Sequence, residues 1–334
     1  MIRRASIFLL FVLAGPAWAL WNDDAEQCAT IIGNPDLAIF HCTRAIESGL
    51  LAPDELAITL SNRAIEYLNT GDYEKAIEDA TRCLSLNPNF ADALNSRGNA
   101  YTEIGLIDLA IVDYDKAISL SPGTSLYFSN RGIAHESGGD LVRAMADYNE
   151  ALRLDPHNVH AYNNRGNVHE SNGDLDRAMA DYNEALRLDP GYAHAYNNRG
   201  VALAATGDID RAVADYDEAI RLDPDYVEAY YNRGLAYRDS GEIHRAIEDF
   251  TQAIGLDAGY ADAYTNRGTA YETLGYYDEA VQDWEAGILL TGAENARWWQ
   301  EYLRDHGHYG GAIDGVYGPG TRTGLLACAR DPAC

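Results

Sequence analysis

Seven arginines recur along this chain at a spacing of 34 residues: Arg63, Arg97, Arg131, Arg165, Arg199, Arg233 and Arg267. Each is followed sixteen residues later by an aspartate: Asp79, Asp113, Asp147, Asp181, Asp215, Asp249 and Asp283. Guanidinium and carboxylate groups in fixed register can either face outward as a charged row for a ligand or pair with each other inside the fold. The pairing reading is preferred, because a charge at a semi-buried packing position is destabilising without a partner. Arginine suits the role, since its planar fork bonds a carboxylate and further oxygens at once. The register therefore predicts an ion-pair ladder, represented by Arg165 with Asp181, Arg199 with Asp215 and Arg233 with Asp249, each Arg meeting an Asp of its own hairpin or of the adjoining one. Such pairs fix register more than they add stability.

A second row precedes the first. Asn62, Asn130, Asn164, Asn198, Asn232 and Asn266 stand immediately before an Arg, with Ser96 as the exception. Amides donate and accept, so a row of them can bond the backbone of an extended peptide without demanding a sequence. Bonding between neighbouring helices is the equal alternative, and the sequence leaves both open. Histidines invite a metal reading: His306 and His308 lie near Asp305, and His157, His160 and His194 fall in adjoining copies. Their spacing matches no zinc site, and His135 and His169 occupy a position filled elsewhere by Tyr67, Tyr101 and Tyr237, which favours packing. No Ser/His/Asp or Cys/His arrangement stands out, and the glycine-rich stretch Gly315–Gly320 lacks the lysine of a phosphate loop. No cofactor and no metal are expected, and no enzyme activity.

What must position these rows is one supersecondary unit repeated. In the copy Val159–Tyr192, Ala161 to Glu170 reads as a first helix, Gly173-Asp174 as a turn with a helix-starting carboxylate, and Leu175 to Leu188 as a second helix stopped by Asp189-Pro190. Small residues (Gly166, Ala178, Ala185) mark close helix approaches, and Tyr162 and Tyr182 fill larger gaps. A hairpin of this size cannot bury its apolar faces alone, so neighbours complete the core.

With 52 acidic against 25 basic residues the formal net charge is -27. That field repels nucleic acid and anionic membrane surfaces and points to neutral or basic partners. The first nineteen residues read as a cleaved secretory signal, with Arg3 and Arg4, an apolar run from Ser6 to Ala14, and Ala17-Trp18-Ala19 as cleavage site; an uncleaved anchor is the alternative. No membrane insertion is expected after cleavage. Five cysteines then face an oxidising compartment. Cys28–Cys42 across the turn Gly33-Asn34-Pro35 and Cys328–Cys334 in the tail are the simplest pairs, with Cys83 a small core residue.

At these residues the chain resembles a tetratricopeptide repeat protein. The fifth copy carries Tyr196, Gly200, Ala212, Tyr216, Ala219 and Pro224 at family positions, with Leu203 replacing the usual Tyr and Arg199 the usual Leu. The resemblance implies an all-α, right-handed α-solenoid of about seven 34-residue helix-turn-helix repeats over residues 57–294. Residues 1–19 are the signal, residues 20–56 an irregular helical N-terminal cap, and residues 295–334 a small C-terminal helical module. In that family first helices line a concave groove that binds protein segments. The groove residues implied here are His160, Asn163, Asn164 and Asn167, then His194, Asn197 and Asn198, and then Tyr231, Asn232 and Asn266. Anionic peptide tails are poor candidates, because the groove positions hold almost no Lys or Arg.

The tail string Tyr309…Ile313-Asp314-Gly315…Gly318…Thr321-Arg322 resembles a peptidoglycan-binding module of the three-helix type. Helices are expected over Glu294–His306 and Arg322–Arg330, the latter capped by Thr321, while the third helix of that module is missing. The favoured function is an exported scaffold for protein–protein interaction in a bacterial cell envelope, periplasmic or secreted, its tail resting on peptidoglycan. The alternatives are a subunit or targeting component of a cell-wall enzyme, and a purely structural, self-associating repeat protein. Asp314 is read as shaping a tight turn before contacting sugar.

Overall fold

In the computed structural model, which describes residues 17–331 and 333–334, every element is an α-helix. Residues 1–16, most of the stretch expected to be a signal, lie outside the described residues. The chain divides into two compact units, up to Val168 and from His169 onward.

The first unit contains α1 (Ala17–Thr30), α2 (Pro35–Glu47), α3 (Pro53–Asn69), α4 (Tyr73–Leu86), α5 (Ala91–Glu103), α6 (Ile107–Leu120), α7 (Ser125–Ser137) and α8 (Leu141–Leu154). The division falls within α9 (Val159–Ser171). The second unit continues with α10 (Leu175–Leu188), α11 (Ala193–Ala205), α12 (Ile209–Leu222), α13 (Val227–Asp239), α14 (Ile243–Leu256), α15 (Ala261–Thr273) and α16 (Tyr277–Thr291), and ends with α17 (Ala293–Asp305) and α18 (Pro319–Ala329). Within each unit consecutive helices pack as pairs, and each pair packs on the next, which is the arrangement of a repeat solenoid.

Local chemistry sets these boundaries. Asp72, Asp140 and Asp174 precede second helices and accept from the backbone N–H three residues on, satisfying a donor the helix leaves open. Proline follows the C-cap residue of most second helices, as at Asp189-Pro190, and prevents continuation. The turn inside each hairpin is made by a glycine with positive φ, for example Gly173 at 75°.

Packing is set by a glycine–aromatic contact. The glycine after each repeat Arg faces a ring of its own second helix: Gly98 under Tyr114, Gly132 under Tyr148, Gly200 under Tyr216, Gly234 under Phe250 and Gly268 under Trp284. The rings are buried, and each stabilises its repeat by roughly 1.5–3 kcal/mol through removal from water. The first repeat changes both members together, with Ala64 opposite Ala80, each at 0% exposure. Second-helix alanines such as Ala117, Ala151, Ala185 and Ala219 are equally closed, and Cys83 takes that position in the first repeat as a buried free thiol. Burial pushes the Cys83 thiol up to about 11, so it stays protonated.

The ends are atypical. Helices α1 and α2 form a hairpin held by a Cys28–Cys42 bridge across the turn. At the other end Ala296 and Leu303 of α17 and Leu325 and Cys328 of α18 share one core with Trp284 and Ile288 of α16. Cys328 and Cys334 are bridged. Two tail expectations need correction. Helix α18 starts at Pro319, because proline's fixed φ suits a first helical position. Thr321 therefore sits inside the first turn, 1% exposed, and does not cap it.

Candidate functional site

The repeat arginines are clamps. Arg199 donates from Nε to Asp215 Oδ2 and from Nη2 to Asp215 Oδ1, both at 2.7 Å. Arg233 binds Asp249 in the same bidentate way at 2.8 and 2.7 Å, and Arg63, Arg97, Arg131 and Arg267 repeat it with their own aspartates. The remaining nitrogen reaches the preceding hairpin. Nη1 donates to Thr81 from Arg97, to Asp115 from Arg131, to Asn149 from Arg165, to Asn183 from Arg199, to Asp217 from Arg233 and to Thr251 from Arg267. One guanidinium thus ties a hairpin internally and to its predecessor.

These partners lie sixteen residues before the Arg, a regularity present in the sequence that the Arg–Asp reading overlooks. At Arg63 the partner is Thr43, twenty residues back, because four extra residues precede the regular array. Arg165 and Asp181 fall on either side of the unit division; Asp181 is buried, 3.9 Å from His169.

Over each guanidinium lie aromatic rings, among them Tyr196 over Arg199 and Tyr230 over Arg233, with ring centroids 5.5 and 5.6 Å away. His135 and His169 take the position of Tyr67, Tyr101 and Tyr237, near their buried aspartates. Burial pulls the His135 imidazole below its ordinary range, against the pull of Asp147.

The amide row is engaged between first helices. Asn130 Nδ2 donates to Asn95 Oδ1 and Asn232 Nδ2 to Asn197 Oδ1, both at 2.9 Å, and Asn266 donates to the Tyr231 hydroxyl at 3.0 Å. Asn163 and Asn197 are buried and donate to their neighbours Asn164 and Asn198. Asn167 is half-buried, while His160 and His194 are exposed, His194 meeting the Tyr226 hydroxyl at 2.9 Å. The residues assigned to one groove by sequence therefore include amides that bond one another, within a helix or between two, and histidines that are exposed.

On the same first-helix face the first unit holds a pocket of about 290 Å3. Its walls come from three successive first helices: Leu68 of α3, Asn99, Thr102 and Glu103 of α5, and Asn130 and Ile133 of α7, closed by Tyr73 and Tyr114. Tyr114 donates to Asn99 at 2.7 Å, which fixes the amide at the pocket. In the first unit Glu136 accepts from Tyr148, and in the second Glu170 accepts from Tyr182, each at 2.7 Å. Burial raises both carboxyls above the usual Glu range. The sequence reading missed this pocket, although Asn99 and Ile133 occupy the repeat position of Asn167.

In the tail the resemblance motif is turned inward. Gln300, fully buried, donates to Asp314 Oδ1 at 2.8 Å and to Val316 O at 3.1 Å, and accepts from the backbone N–H of Asp314 and Gly315 at 3.0 and 2.9 Å. Asp314 also accepts from Val316 N at 2.9 Å, so its carboxylate shapes the turn. Tyr309 donates to Ala312 O, Ile313 is half-buried, Gly318 precedes α18, and Arg322 lies 3.5 Å from Glu285 of α16. Glu285 stands at the second-helix position which, in earlier repeats, receives the next repeat's Arg. Arg322 continues that linkage from the tail. Among the described residues no group of three or more His, Cys, Asp and Glu could hold a metal ion. No helix there is long and apolar enough to cross a membrane.

Within each unit, stacked helix pairs whose first helices are joined by amides define a protein-binding repeat protein. Tetratricopeptide repeat models match residues 57–90, 91–123, 129–193, 163–227, 197–242, 234–275 and 261–291. The chain belongs to the tetratricopeptide repeat family. A tetratricopeptide repeat protein from Parabacteroides merdae aligns with 75% of this chain and 98% of its own at 19% identity and a TM-score of 0.60. PilF of Pseudomonas aeruginosa aligns with 63% of this chain and 96% of its own at 18% identity and a TM-score of 0.54. MamA is 31% identical over 48% of this chain and 94% of its own, with a TM-score of 0.43. The likeness to the first two shows the fold alone. No curated protein matches the sequence.

Proposed function

We propose that this protein is an exported scaffold that holds a neutral or basic polypeptide segment along its first-helix face. The pocket bounded by Leu68, Asn99, Glu103 and Ile133 carries this reading, because it sets apolar walls beside a fixed amide and a carboxylate. That mixture suits an extended segment whose backbone bonds the amide and whose side chain enters the pocket. Residence in an oxidising envelope compartment is part of the proposal, supported by the leader-like first nineteen residues and the two bridges. Attachment to peptidoglycan is the finer proposal for the tail and rests on the motif resemblance. The inward use of Gln300 and Asp314 also supports a simpler role as the cap of the last repeat.

Selection of peptides from a random display library tests the groove. Selected sequences should be rich in Lys or Arg beside an apolar residue, and should bind Ile133→Arg roughly tenfold more weakly, since that change fills the pocket and cancels the charge of Glu103. Equal binding to Ile133→Arg would sink the groove reading. Co-sedimentation with purified peptidoglycan, for the full chain and for Arg322→Ala, tests the tail. If neither form sediments with the wall, the tail is only a cap.

A further inference from the structure

The seven repeats serve as internal controls for one another, and the second departs from the rest on its outward face. At the start of the second helix the other copies carry a polar N-cap (Asp72, Asp140, Asp174, Asp208, Glu242), except Tyr276 in the last. Three residues on stands Lys75, Arg143, Arg177, Arg211 or Arg245, which closes an ion pair at 2.5–3.3 Å in all five. The second repeat puts Leu106 and Leu109 at these positions, and α6 has no side-chain cap.

Val112 follows where other copies have Glu78, Ala146, Ala180, Ala214, Glu248 and Gln282. Val142, one repeat on, replaces Glu74, Asp108, Asp176, Asp210, His244 or Asp278. All four are exposed, Leu106 at 46%, Leu109 at 49%, Val112 at 63% and Val142 at 82%. Leu106 and Leu109 also line a pocket of about 560 Å3, with Ile111 of α6 on one side and His135, Asp140 and Arg143 on the other.

Core packing does not require these changes, since five other repeats close the same hairpin with a polar cap. From this face we infer a second binding surface, separate from the first-helix groove, that docks a basic polypeptide segment through bulky apolar side chains. Charge decides the class of occupant. Replacing the usual Lys or Arg by Leu109 removes the outward cation of that turn and leaves Asp108 beside the patch. On a chain of net charge -27, an apolar patch with an acidic rim favours apolar anchors flanked by Lys or Arg and opposes a second copy.

The test restores the pattern of the other repeats. Leu106→Asp/Leu109→Arg adds one negative and one positive charge, so the net charge and its long-range attraction stay unchanged. It also supplies the missing cap and ion pair, so the variant should melt no lower than the wild type. The probe is a fluorescent synthetic amphipathic helix of leucine and lysine, beside a permuted peptide of the same composition without an apolar face. Fluorescence anisotropy should show roughly tenfold weaker binding of the amphipathic peptide to the double variant, and equal binding of the permuted one to both proteins. Val112→Gln, copying Gln282, should weaken the amphipathic peptide in the same direction without touching the cap. Unchanged affinity in both variants overturns the inference. So does a wild-type dimer in sedimentation that the double variant abolishes, because it assigns the face to a second copy.

Discussion

Replacing Gly234 by alanine should destabilise the sixth repeat, and removing the ring it faces should cancel most of that effect. A Cβ at position 234 would lie 2.7 Å from Phe250 Cε1 and 2.9 Å from Cδ1. Carbon atoms in good contact sit about 3.5–4.0 Å apart, so the overlap approaches an ångström. The Phe250 ring has 0% exposure and is enclosed by Tyr237, Ala246, Tyr231 and Val213, which leaves it nowhere to swing. Overpacking costs about 1–3 kcal/mol, and an overlap this large against an enclosed ring belongs at the upper end. After an offset of roughly 1 kcal/mol from alanine's better helix propensity, the net loss is about 2 kcal/mol. Phe250→Ala alone should cost about 3–5 kcal/mol through the cavity it leaves. In the double variant the added methyl enters that cavity, so its cost should match or fall below that of Phe250→Ala alone. Urea unfolding followed by circular dichroism, compared at constant slope, measures the cycle. Additive losses, or a neutral Gly234→Ala, would refute the reasoning. The first repeat already contains the paired solution, Ala64 opposite Ala80.

Three further outcomes follow from the clamps and the tail. Arg233→Met should cost about 3–5 kcal/mol in the same unfolding assay, because it strands the buried Asp249 carboxylate, whereas Arg233→Leu/Asp249→Leu should cost clearly less. For His135 the folded pKa lies below the unfolded one, so its contribution is full above the ordinary His range and declines as pH falls through 6.5 toward the folded value. His135→Tyr, copying Tyr101 and Tyr237, should flatten the loss of melting temperature between about pH 7 and pH 5 relative to wild type. Glu136 runs the other way, its raised pKa favouring the fold on the acid side, so the difference between the two proteins is the quantity to compare. Gln300→Leu should lower stability by about 2–5 kcal/mol by orphaning the N–H groups of Asp314 and Gly315, and hydrogen exchange should show α16 loosening with the tail.

The helix pairs were legible because their causes are local and repeated. Spacing, the Gly-Asp turn and the Asp-Pro stop each act within a few residues, and the helix α10 begins and ends at the expected Leu175 and Leu188. The expected first helix Ala161–Glu170 came out slightly longer, at Val159–Ser171, since helix ends depend on weaker cues. Within the site the Arg–Asp register was readable, while the Nη1 bonds to Asp115, Asn149 and Asn183 were not, since they depend on how one hairpin is set on the last. The amide row shows a different limit. Asparagine serves a ligand or a neighbouring helix with the same atoms, so only the placement of Asn197 beneath Asn232 distinguishes them. Thr321 was misplaced because the Pro319 start signal was outweighed by a Thr-Arg motif carried by resemblance.

The repeats also separate two kinds of sequence change. In the core the two positions change together: Ala64 and Ala80 stand in register where later copies pair a glycine with an aromatic ring. Packing therefore accounts for both members. Leu106, Leu109, Val112 and Val142 depart together, all of them exposed, and α6 gives up its side-chain cap. A fold gains nothing by exposing apolar groups where five sister repeats hold an ion pair, and exposure of this kind invites association. The inferred second binding surface places the cause outside the chain, and a charge-neutral return to the sister pattern should then spare the fold and remove only the binding.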